Sequence, residues 1–132
     1  MCAKRKVHFT IKNGGVVIAN IWKVYVKNKR RGKIKQIITL DFETFYDTSY
    51  GLKKYTTEHY IRDPQFQVIG FAIKVDDGST KWYSGTHEEL QKVLDTFNIH
   101  QCGLVAHNMQ FDGTILAWIF NIIPEVYIDT LS

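Results

Sequence analysis

Apolar positions along this chain alternate between short β-type runs and helix-type faces. Val7 to Ile11 and Val16 to Val26 are rich in β-branched and aromatic residues. Asn13-Gly14-Gly15 between them tolerates the positive φ of a tight turn, which predicts a β-hairpin. A polar, basic linker follows from Lys27 to Lys35. Ile37-Ile38-Thr39-Leu40 then lacks clean alternation and predicts a central strand covered on both faces, with Asp41 at its end. Thr56-Thr57 caps a predicted helix that runs to about Arg62 and stops at Asp63-Pro64. Val68 to Val75 and Thr80 to Tyr83 flank a turn at Asp76-Asp77-Gly78-Ser79, whose two acids read as solvated charges. Thr86 and Glu89 have capping-box spacing ahead of a helix with apolar face Leu90, Val93, Leu94 and Phe97. Leu104-Val105-Ala106 predicts a buried strand, followed by a loop and a helix with inner face Phe111, Ile115, Leu116 and Ile119. Val126-Tyr127-Ile128 opens a last strand. Strands and helices alternate, so the class is α/β.

A length of 132 residues, 45% of them hydrophobic and 23% charged, fits one soluble globular body with a core. The most apolar region, Thr114 to Ile123, is too short to span a bilayer and is interrupted by Asn121, so no membrane partner is expected. No apolar stretch follows the opening Met-Cys-Ala-Lys-Arg-Lys, as a secretory signal would require. Two cysteines, Cys2 and Cys102, make no disulfide framework and fit a reducing cytoplasm.

Charge divides the chain. Residues 1–36 hold eleven of the seventeen Lys and Arg and no acid, whereas residues 37–132 hold all thirteen Asp and Glu. This predicts a basic N-terminal hairpin and linker (1–36) and a separate body (37–132). Lys27, Lys29, Arg30, Arg31, Lys33 and Lys35 lie within nine residues without an acid. They read either as a solvated linker or as a strip that tracks the phosphates of a single strand.

Candidate chemistry lies in the body. Alternation puts Asp41 and Glu43 on one face of an extended chain, where both can reach one hard cation. Burying two carboxylates together costs several kcal/mol unless a cation compensates. The other reading is a solvated strand end. Asp112 begins a helix directly after the strand 104–106 and the loop His107-Asn108-Met109-Gln110. Such βα junctions at the carboxyl ends of central strands converge on one crevice. An acid near a helix N-terminus is also favoured by the dipole alone. Phe42, Phe45 and Tyr46 offer stacking surface for an unpaired base or else belong to the core. His107 gains interest only by adjoining Asn108.

The segments LDFETF (40–45) and VAHNMQFDGTIL (105–116) resemble the first two motifs of the DEDD-type (DnaQ-like) 3′→5′ exonucleases. The stretch GLKKYTTEHYIRDPQFQVIGFAIKVDDG between them is similar to the version attached to phage and bacterial family-A DNA polymerases. The resemblance covers about residues 37–132. It implies a ribonuclease H-like fold, a mixed sheet flanked by helices, here preceded by the basic hairpin. It implies that Asp41, Glu43 and Asp112 are catalytic metal ligands for a two-metal Mg²⁺ or Mn²⁺ site. It also implies that Phe42, Thr44 and Asn108 lie against the terminal nucleotide of a DNA 3′ end.

The chain departs from that family in one respect. A third motif, a Tyr or His followed a few residues later by a fourth carboxylate, is expected well downstream of the second, and twenty residues follow Asp112. Asp129-Thr130 resembles an Asp-Thr that ends the next strand, and Asp129 reads as a cap more readily than as the missing ligand. The expectation is a domain incomplete at its C-terminus and truncated before the third motif. It would be a proofreading-type exonuclease, weak or inactive alone, with a polymerase module or second polypeptide supplying what is missing. The alternative is a catalytically incomplete module that binds nucleic acid or a polymerase; a third is a gene remnant.

Overall fold

The computed structural model describes residues 6–10, 16–20 and 34–131. Its strands are β1 (Lys6–Thr10), β2 (Val16–Asn20), β3 (Ile37–Thr44), β4 (Val68–Val75), β5 (Lys81–Ser84), β6 (Gly103–Ala106) and β7 (Val126–Asp129). Its helices are α1 (Thr57–Arg62), α2 (His87–Asp95) and α3 (Met109–Trp118). They form a mixed α/β fold whose sheet runs β2-β1-β7-β6-β3-β4-β5. β3, β6 and β7 are mutually parallel where they pair; every other pairing is antiparallel.

Local signals set several boundaries where expected. The hydroxyls of Thr56 and Thr86 accept the amides of His59 and Glu89, each at 3.2 Å, and so cap α1 and α2. Asp63, extended before Pro64, ends α1. Asp76 adopts a positive φ of 47° in the β4–β5 turn. It is not the solvated charge expected there, because its carboxylate accepts the Ile37 amide at 2.9 Å and pins the start of β3.

One face of the sheet carries the core. Ile38, Leu40 and Phe42 of β3, Phe71 and Ile73 of β4, and Leu104 and Ala106 of β6 join Leu90 and Leu94 of α2 and Ile115 and Leu116 of α3. Each large side chain so buried contributes about 1.5–3 kcal/mol. One expectation needs correction here. β3 is not covered on both faces, since Thr39, Asp41 and Glu43 stay exposed along its second face and the strand continues past Asp41 to Thr44. Thr39 belongs to that polar alternation, which the adjoining Ile37, Ile38 and Leu40 conceal. The expected inner face of α3 packs on this core, Ile115 and Leu116 buried and Phe111 and Ile119 half-buried against it, and Met109, Asp112 and Gly113 are buried as well.

A smaller buried patch lies on the second face around Gly103, where an added Cβ would stand 2.9 Å from Ile37 and 3.6 Å from Ile34. Ile34 is buried with it, so the body starts three residues earlier than the charge boundary suggests. β1 and β2 form the expected hairpin, and β1 adds to β7 through His8 opposite Asp129 and Phe9 opposite Ile128. The hairpin therefore continues the sheet of the body. Its turn at 13–15 and the continuation over 21–26 lie outside the described residues. Among the described residues no helix is long and apolar enough to cross a membrane.

Candidate active site

β3 outruns its neighbour. It pairs with β6 only over Ile37–Thr39, while β6 stops at Ala106. Beyond Thr39 the β6-side edge of β3 has no strand partner, and a buried amide there needs another acceptor. Asp112 supplies it: its Oδ1 accepts the Phe42 N–H at 2.8 Å. A strand amide lies near the plane of its sheet. Asp112 thus comes from the helical side and meets β3 at its edge, not over the face that carries Asp41 and Glu43.

Asp112 is 2% exposed, the one buried charged side chain among the described residues. Burial pushes its carboxyl up to about 7, and the Phe42 amide pulls it the other way. The charges of Asp41, Glu43 and Asp129 raise it further, so all four acids lie within electrostatic reach of one another at the carboxyl ends of β3, β6 and β7. No ion pair with a Lys or Arg of the described residues neutralises any of the four.

Asn108 stands at the N-cap of α3 in the left-handed region (φ 79°), with no side-chain capping bond. Its carbonyl accepts the amides of Phe111 and Asp112 and so orients the turn that carries Asp112. Its own amide donates to Asp129 Oδ1 at 3.1 Å, and that oxygen also takes the Leu131 amide at 2.9 Å. Asp129 therefore has the cap-like role expected of it, with one oxygen left over. His107 proves better placed than its sequence suggests. Extending the β3–β6 register by two residues sets it level with Asp41, and its Nδ1 lies 3.1 Å from the Thr130 hydroxyl.

The aromatic candidates separate. Phe42 is buried between Phe71 and Phe120, at ring separations of 5.8 and 5.6 Å. The expectation that it lies against a nucleotide is corrected for its ring, which alternation turns away from Asp41 and Glu43. Phe45 is half-buried against Tyr50, and Tyr46 is 74% exposed. Thr44 is half-buried, its hydroxyl 2.8 Å from that of Tyr60. Sequence reasoning did not single out Tyr50 or Tyr60. Both are buried, stacked at 4.6 Å, with the Tyr50 hydroxyl donating to the Tyr60 carbonyl at 2.5 Å. Of the basic strip, Lys35 is exposed and tied by its amide to Gln101, while Lys27, Lys29, Arg30, Arg31 and Lys33 lie outside the described residues.

An all-oxygen donor set suits a hard divalent cation such as Mg²⁺ or Mn²⁺ better than a soft one. Asp41 and Glu43 are exposed, and Asp112 keeps one oxygen free of the Phe42 amide. Their chemistry fits such an ion, although no three His, Cys, Asp or Glu side chains among the described residues are arranged as a ligand group. No protein-family model matches the chain, and no curated protein matches it in sequence.

Proposed function

We propose that this chain is a metal-dependent 3′→5′ exonuclease domain of proofreading type, hydrolysing phosphodiesters at DNA 3′ ends and weak or inactive on its own. One observation carries the reading: a buried aspartate meets the edge of the strand that bears two exposed acids, and no Lys or Arg of the described residues forms an ion pair with any of them. Such an arrangement costs stability and is retained at sites that use it. The mixed sheet with helices packed on it is compatible with a ribonuclease H-like fold.

Phosphodiester hydrolysis needs an activated water and stabilisation of the departing 3′ oxygen, which a pair of Mg²⁺ or Mn²⁺ ions supplies when carboxylates hold them. Asp41, Glu43 and Asp112 would hold the ions, Asp112 after losing its proton. Thr44, Asn108 and the Phe42 backbone border the place where a terminal nucleotide would sit. Weak activity follows from a ligand set in which Asp112 and Asp129 each have an oxygen committed to backbone amides. A polymerase module or a second polypeptide is the proposed source of a further acid.

The test is digestion of a 5′-labelled single-stranded oligodeoxynucleotide with Mn²⁺. Slow shortening from the 3′ end, lost in Asp41→Ala and in chelator, is the expected result. Internal cleavage, or shortening that survives Asp41→Ala, would overturn the reading. A second reading, a binding module without catalysis, is favoured by the lack of a three-ligand group among the described residues. Salt-sensitive DNA binding with no cleavage at any Mn²⁺ concentration would select it.

A further inference from the structure

We propose that the 46–54 loop is a docking platform for single-stranded nucleic acid, in which Tyr46 stacks on a base and Lys53 and Lys54 take the adjoining phosphates. An exposed aromatic decides nothing by itself. Here three observations meet at one. The first is selection among neighbours: of the three aromatic residues that follow Asp41, Phe42 and Phe45 pack inward, and only Tyr46 remains 74% exposed, three residues after Glu43.

The second is rigidity. Asp47 Oδ1 accepts the Ser49 amide (2.8 Å), the Ser49 hydroxyl (2.9 Å) and the Tyr50 amide (2.7 Å), and the Asp47 amide donates to the Tyr50 carbonyl (2.9 Å). Tyr50, fully buried and stacked on Tyr60, anchors that turn in the core. Gly51 lies beside Asp47 and Tyr46, where an added Cβ would make only ordinary contacts of 3.8 Å to the Asp47 carbonyl oxygen and 3.9 Å to the Tyr46 Cβ. A ring presented on so fixed a backbone loses little freedom when a base lies on it.

The third is charge. Lys53 and Lys54 are exposed in the turn closed by the Lys54 and Tyr55 amides on the Gly51 carbonyl. Asp47 is the only acid from 46 to 54; its bonds from the Ser49 amide and hydroxyl and the Tyr50 amide hold it below the usual carboxylate range, and the Lys54 charge adds a smaller pull in the same direction. The loop therefore shows a strand one π-face and two cations, in the segment that directly follows Asp41 and Glu43 along the chain. Stacking accepts any unpaired base, so a single strand, not a duplex, is the ligand chemistry.

This inference rests on the proposed function for where the strand leads, but its binding step needs no metal. The experiment measures affinity of the full chain for a fluorescent dodecamer of thymidylate in chelator. Tyr46→Ala should weaken binding about 5- to 150-fold, and Tyr46→Phe should stay within about twofold of the unsubstituted chain. Replacing Lys53 and Lys54 together by Ser should flatten the slope of log K against log salt by about 1.4. Unchanged affinity in Tyr46→Ala, equal loss in Tyr46→Phe, or equal affinity for a blunt duplex of the same length would each overturn the proposal. Binding that meets these expectations without any Mn²⁺-dependent hydrolysis would keep the platform and reject the nuclease. Hydrolysis that needs Asp41 but ignores Tyr46→Ala would do the reverse.

Discussion

The carboxylate of Asp112 and the amide of Phe42 meet at 2.8 Å across a sequence separation of seventy residues. That single bond joins the first turn of α3 to the strand that bears Asp41 and Glu43, and it serves fold and candidate site together. Its carboxyl group is also the most strongly displaced acid among the described residues, which makes it open to measurement.

Stability should depend on pH through Asp112. With its carboxyl near 7 in the folded chain and near 3.8 when unfolded, the folded chain keeps a proton that the unfolded chain releases between those values. Stability from this group is therefore fully present below about pH 4 and is lost as pH rises toward 7, by a few kcal/mol in order of magnitude. Urea midpoints from pH 4.5 to 8 in chelator should fall accordingly. Asp112→Asn, which retains an acceptor for Phe42, should flatten the fall and be the more stable chain at pH 8. Asp112→Ala should instead lose about 1–3 kcal/mol at pH 4.5 by orphaning the buried amide. A midpoint that climbs steadily from pH 4.5 to 8 would contradict this account.

Divalent metal should reverse part of that loss. Mn²⁺ bound at saturation about a hundredfold above its dissociation constant would add about 2.7 kcal/mol. It should release a proton at pH 6.5, since Asp112 must ionise to ligate. Asp41→Ala should remove more of the thermal shift than Asp129→Ala, because Asp129 already holds two amides through one oxygen. Equal losses in a Mn²⁺ titration followed by melting temperature would assign Asp129 a ligand role equal to that of Asp41.

The basic strip has its own signature. If Lys27, Lys29, Arg30, Arg31, Lys33 and Lys35 all contact phosphates of a single strand, log K should fall with log salt at a slope of roughly −4. Replacing Arg30, Arg31 and Lys33 by Ser should flatten it by about two units, with no change in sequence preference. An unchanged slope reduces the strip to a linker.

Packing between β4 and β5 can be probed at Gly70. A Cβ there would stand 2.4 Å from the Tyr83 carbonyl oxygen and 2.7 Å from the Trp82 ring. The first of these is backbone and cannot turn aside. Gly70→Ala should cost about 3 kcal/mol or more in a denaturant titration, while Gly78→Ala, with its nearest contact at 3.0 Å, should cost less.

What the chain announced in advance was mostly local. Thr56, Thr86 and the Asp76–Ser79 turn act on amides a few residues away, so their spacing alone locates α1, α2 and the β4–β5 hairpin. What it concealed depends on partners far along the chain. The Asp76 carboxylate finds the Ile37 amide thirty-nine residues back, and nothing near Asp76 signals it. The burial of Asp112 likewise involves the Phe42 amide seventy residues back, which nothing near Asp112 signals. At the candidate site the order and spacing of Asp41, Glu43 and Asp112 picked out acids that lie within electrostatic reach of one another. Which aromatic faces water was not legible, because Phe42, Phe45 and Tyr46 are interchangeable until the core has claimed two of them.

The β3–β6 pairing ends two residues short of the level of Asp41, and that shortfall is what admits Asp112 to the edge of β3. Two further paired residues would complete the ladder, satisfy the Phe42 amide with a carbonyl and leave Asp112 without a seat. Substitutions that simply stabilise this sheet would tend to close the notch. Its persistence would then mark selection for the acid it admits, and a library selected for heat resistance alone should lose Asp112 before it loses the fold.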